Sequence, residues 1–172
     1  MKNMPFTADE AVFVAALSEA DDLGCVIRLT IVVEGILIGM IEQVVPNPKE
    51  LEKLNLDYHG RVSLAVALGM PVEIAPALRA LGKLRNRFAH RLEAKLEVGE
   101  VTDLYNTLPP DQRTYLHHFL KTMGAEGVIT KAQLSSLPPR QQLSLIAISL
   151  RRYLLNGFAI KRGLLGEGQR SN

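Results

Sequence analysis

The sequence predicts an all-α fold. Two observations carry that reading. Hydrophobic residues make up 47% of the 172-residue chain but aromatics only 5%, so the apolar content is aliphatic. Leu78, Leu81, Leu84 and Phe88 recur at intervals of three, three and four, which is the period of one helix face. The length suits one domain with a sizeable apolar core, and the composition excludes disordered, collagen-like and disulfide-rich chains.

Each element follows from local signals. Thr7 and Glu10 have capping-box spacing and open a first helix over about 8–20. Asp21 or Asp22 caps a second helix that runs to about Val45, where Pro46 and Pro48 stop it. This helix is apolar on nearly every face, so it must be central or buried against a second chain. Residues 46–58 form a polar connection, and His59 to Leu68 makes a short amphipathic helix ended by Gly69. Pro71 and Pro76 bracket the start of a long helix ending near His90. Further helices are expected near 101–107, from Pro110 to about Met123 and from Pro139 to about Ile160. Pro110 and Pro139 each sit in a first helical turn, where the missing N–H costs nothing. The run Gly127 to Thr130 fits either a turn or a short strand, and the glycine-rich 163–172 reads as a flexible tail.

The stretch Leu23 to Val45 is interrupted by Arg28, Glu34 and Glu42. Its longest uncharged run, Gly35 to Ile41, is far shorter than the roughly 20 residues of a spanning helix. Asp9, Glu10, Glu19, Asp21 and Asp22 flank the weakly apolar 11–17, which argues against a signal peptide. The expectation is a cytoplasmic protein. Its single cysteine, Cys25, fits a small core residue. Net charge is +2 but unevenly placed: residues 1–60 sum to −6, 61–99 to +4, 100–139 to −1 and 140–172 to +5. The basic blocks suit phosphate or the acidic part of the fold or of a second copy.

The strongest local signal is Leu84-Arg85-Asn86-Arg87-Phe88-Ala89-His90, at the end of the long amphipathic helix. Tyr58 to Gly69 precedes it as a glycine-ended helix. On these residues the chain resembles the HEPN superfamily, helical domains whose endoribonucleases carry an arginine, four to six residues and a histidine. It is most similar to the bacterial group related to the mannitol operon repressor. The resemblance covers about 8–95, followed by a C-terminal helical extension over 100–162. It implies a homodimer in which facing motif helices build a shared cleft that cleaves RNA without metal.

Elementary geometry bears on that motif. Five residues turn an α-helix through about 500°, leaving Arg85 and His90 roughly 140° apart. Either the helix unwinds near Ala89 or two copies complete the site. In the role implied, His90 moves protons, Arg85 offers its planar fork to the phosphorane oxygens, and Asn86 orients His90 or the phosphate. Arg87 and Arg91 would guide the RNA backbone. The bland alternative is electrostatic, because cations at a helix C-terminus oppose the macrodipole. A third reading is a non-catalytic regulator or a protein-interaction domain, since fold does not settle function. Expected partners are a second copy, RNA, and an antitoxin or regulatory protein.

Other constellations are thin. Arg113 to His118 repeats the spacing but has threonine after its arginine. His117 and His118 diverge by about 100° and cannot chelate one ion together. No phosphate loop, G-x-S-x-G or dinucleotide fingerprint is present, so neither a cofactor nor a metal is expected. Glu34 within the apolar helix needs a partner, for which Arg61, Arg85 and another chain are the candidates.

Overall fold

The computed structural model describes residues 21–91, 93–122 and 134–168, with 119–122 and 157–168 described by backbone alone. The helix expected over 8–20 and the Gly127–Thr130 run lie outside the described residues.

Asp21 begins the core helix α1 (Asp22–Val44): its Oδ1 accepts the Gly24 N–H at 2.6 Å. Cys25, Val26, Leu29, Val33, Ile36, Leu37 and Ile41 are buried along it. Each such aliphatic side chain contributes about 1.5–3 kcal/mol by leaving water. Helix α2 (Tyr58–Ala67) starts on Asp57, whose Oδ1 accepts from Gly60. Helix α3 (Ala75–Ala89) starts with Pro76 in its first turn. Then come α4 (Val98–Thr107), α5 (Pro110–Thr122) and the long α6 (Pro139–Gly168). Helices α2, α3 and α6 all pack on α1, and α6 also meets α4 and α5. The bundle is all-α among the described residues.

Three details differ from the sequence reading. The 46–58 connection contains a 3-10 segment, Pro48–Leu54, closed by Asn55 in the left-handed region at φ 45°. Helix α4 begins three residues earlier than expected, because Glu97 and Glu100 form a reciprocal capping box. Helix α6 extends through Gly168, so residues 163–168, read as a flexible tail, are helical backbone. A single glycine costs a helix only about 1 kcal/mol and does not by itself end one.

By length and composition α1 could cross a membrane, a test that the count of uncharged residues had excluded. Half of its most apolar window is buried within the fold. The acid in its middle, Glu34, is matched: Arg61 Nη1 of α2 donates to Glu34 Oε1 in a partly buried ion pair. Cys25 is fully buried, with its Sγ 3.7 Å from Ser144 Oγ on α6, and burial pushes its thiol up.

Helices α2 and α3 pack closely because Gly82 has no side chain. A Cβ there would lie 2.7 Å from Tyr58 Cδ1 and 2.8 Å from Cε1. The Tyr58 ring crosses this gap and its hydroxyl donates to the Leu78 carbonyl at 3.0 Å. Urea unfolding should therefore show Gly82→Ala losing about 1–3 kcal/mol by overpacking. Gly99→Ala, with nothing within 4 Å, should gain up to about 1 kcal/mol.

Burial, and secondarily Glu34, pushes the Tyr58 phenol far above its ordinary value of 10.0. The native state then keeps a proton that an unfolded tyrosine releases, so this contribution is complete below about pH 10 and shrinks as pH rises above it. Tyr58→Phe should cost about 1 kcal/mol at neutral pH through the lost hydrogen bond. It should also fall less steeply in stability above pH 10, measured by urea midpoints across the alkaline range.

Candidate functional site

Helix α3 carries the motif, and its charge pattern is one-sided. Between Asp57 and Glu93 the chain has six lysines and arginines and one acid, Glu73. Burial, then Asp111 and last Glu73 push the Tyr153 phenol of α6 up.

The helix does not unwind before His90. It is α-helical through Ala89, and His90 is its C-cap residue at φ −102°, ψ 0°, still in the right-handed region. The Arg91 N–H bonds the Phe88 carbonyl at 3.3 Å. Arg85 and His90 therefore start about 140° apart around the axis. The side chains partly close that gap. Arg85 Nη1 donates to Asn86 Oδ1 at 3.1 Å, and Asn86 shares a helix face with His90 four residues on. The guanidinium thus reaches Asn86, on the helix face of residue 90. Arg85, Asn86 and His90 are all exposed.

Arg87 points elsewhere. Its Nη2 donates to the Lys95 carbonyl at 2.9 Å and forms a partly buried ion pair with Glu100 Oε2. Its guanidinium carbon also lies 4.6 Å from the Phe88 ring centroid. The same Glu100 carboxylate accepts the Glu97 N–H at 3.1 Å in the α4 capping box. Across the loop, Leu96 N–H donates to Asp22 Oδ2 at 2.9 Å. The segment after His90 is thereby fastened to α4 and to the start of α1. Arg87, expected to guide RNA, is occupied in holding this loop, whereas Arg91 is exposed just beyond the helix end.

Two residues not singled out by spacing lie beside the motif. Helices α2 and α3 run antiparallel: Ser63 of α2 meets Arg79, whose Nη2 is 3.3 Å from Ser63 Oγ, while Tyr58 and His59 meet Gly82. His59 Cε1 would be 3.4 Å from a Cβ on Gly82. Gly82, a glycine inside a helical pattern, was the available signal of a close approach.

The other histidines serve differently. Tyr105 Oη and His117 Nε2 are hydrogen-bonded at 2.9 Å. No three His, Cys, Asp or Glu residues gather as metal ligands among the described residues. A cleft of about 400 Å³ lies away from the motif, between Ile41 of α1, Leu51 of the 3-10 segment and Leu64 of α2.

Comparison with known proteins gives no match: no family model, no curated protein and no solved structure resembles this chain closely enough to report.

If Arg87 and Glu100 fasten the loop together, Arg87→Ala and Glu100→Ala should each lose about 1–2 kcal/mol in urea unfolding. The double variant should lose less than the sum of the two, the mark of a shared interaction.

Proposed function

We propose that the chain is a metal-independent endoribonuclease of the HEPN kind, cytoplasmic and working as a homodimer. The observation that carries this reading is the Arg85–Asn86 hydrogen bond, by which a guanidinium reaches Asn86, on the helix face of residue 90. A cation, an amide and an imidazole are then available to one phosphodiester on a helix that contains no acidic residue.

The chemistry needs nothing further. A neutral His90 imidazole takes the proton from a ribose 2′-OH as O2′ bonds to the adjacent phosphorus. The bond from phosphorus to the 5′ oxygen breaks, and that oxygen leaves with a proton from an imidazolium. Arg85 stabilises the extra negative charge on the non-bridging oxygens through its fork. The products are a 2′,3′-cyclic phosphate and a free 5′-OH. A second copy supplies the opposite wall of the cleft and a second imidazole, so that base and acid come from different chains. Apolar surface suited to a second copy remains on α1, where Ile31 is 54% exposed and Val44 43%.

The open position of Arg85, Asn86 and His90 on one chain favours a second reading, a helical regulator that binds a partner without cleaving it. Purified protein incubated with mixed RNA in EDTA separates the two. The nuclease reading expects cyclic-phosphate ends that disappear in both Arg85→Ala and His90→Ala, a loss of at least about a hundredfold. Intact RNA in the wild-type reaction overturns it and favours the regulator. Sedimentation at micromolar concentration should give twice the 19.0 kDa chain mass. A monomer that still cleaves would remove the two-chain site.

A further inference from the structure

The six cations between Asp57 and Glu93 divide into two groups. Arg61 and Arg87 are neutralised by Glu34 and Glu100. Arg79, Lys83, Arg85 and Arg91 are exposed and make no ion pair among the described residues. Two of the second group, Arg79 and Lys83, line up with the motif. Arg79, Lys83, Asn86 and His90 follow one another at intervals of four, three and four, so all four lie within a narrow arc of α3. The helical rise spaces them by about 6, 4.5 and 6 Å along a line of roughly 16 Å. Ser63 and His59, also four apart, form the adjoining wall on α2, with Ser63 hydrogen-bonded to Arg79 and His59 against Gly82.

From this arrangement we propose that the seam between α2 and α3 is a track for a single RNA strand, with Arg79 and Lys83 binding successive phosphates on one side of the scissile position. The proposal rests on the ribonuclease reading for its direction, since the track ends at Asn86 and His90. Two unneutralised cations one helical turn apart, in line with the motif, match a polymer that repeats its charge at regular intervals. An acidic protein surface would place no such demand on spacing. Lys83 lies between Arg79 and Asn86 and is exposed, so that it can meet a phosphate without breaking an ion pair within the fold. Arg79 keeps donors in addition to the one engaged by Ser63.

The test is fluorescence anisotropy of the full chain with a short oligoribonucleotide whose riboses are 2′-O-methylated, so that binding is read without cleavage. Salt is varied between about 50 and 200 mM, where phosphate contacts dominate the response. Arg79→Ala/Lys83→Ala should lose at least tenfold in affinity at low salt. Its slope of log affinity against log salt should become shallower by about 1.4, from two lost phosphate contacts on a single strand. Arg79→Lys/Lys83→Arg should restore both. Unchanged affinity and slope in the alanine pair overturn the track. Absence of salt-dependent RNA binding by the wild type overturns it as well, and leaves the seam to an acidic protein. Cleavage of the unmodified oligonucleotide is scored separately. A wild type that binds through Arg79 and Lys83 but does not cleave keeps the track and rejects the nuclease. One that cleaves while the alanine pair binds normally keeps the nuclease and rejects the track.

Discussion

A helix whose side chains are apolar around most of its circumference has to be surrounded, and the bundle is organised by that requirement on α1. Helices α2, α3 and α6 cover it from different sides. Two elements that share a support are brought close to each other, and how close depends on what lies between them. For α2 and α3 that position is Gly82, where only hydrogen separates the helix from the Tyr58 ring. The N-terminal turn of α2 therefore reaches the C-terminal half of α3. The motif is consequently not a lone helix end but one edge of a two-helix surface.

Charge is handled in two ways on that surface. Where a cation faces the interior it has a carboxylate: Glu34 for Arg61, Glu100 for Arg87. Both acids also serve the backbone or core around them, Glu100 by capping α4 and Glu34 by lying in the middle of α1. The cations that face water on α3, Arg79, Lys83 and Arg85, form no ion pair among the described residues. Fold stability and surface potential are thus assigned to different residues of one basic segment.

Local signals carried the helices well. Asp21, Pro76, Pro110 and Pro139 mark starts within a residue or two, because a cap or an N-terminal proline acts over one turn. The start of α4 was less legible: its cap is a glutamate, a residue that seldom announces a helix end. The site was legible in its spacing and not in its side-chain directions. That Asn86 and His90 share a face follows from four residues of helix, and that Arg85 bends toward Asn86 does not. The role of Arg87 depends on Glu100, 13 residues on, and the partner of Glu34 is 27 away. Such choices are made by tertiary contact, so arginines two residues apart on one helix end in different roles.

The hydrogen bond from Leu96 to Asp22 links two segments 74 residues apart: the first turn of the core helix and the loop that follows His90. Helix ends ordinarily fray independently and at little cost in free energy. Here the two ends share an anchor, so opening of one removes a restraint on the other. Opening of the loop after His90 therefore removes a restraint on the first turn of the bundle's central helix. Amide exchange at Leu96 would report on that opening, and a ligand that steadied this loop would slow exchange in the first turn of α1 without touching it.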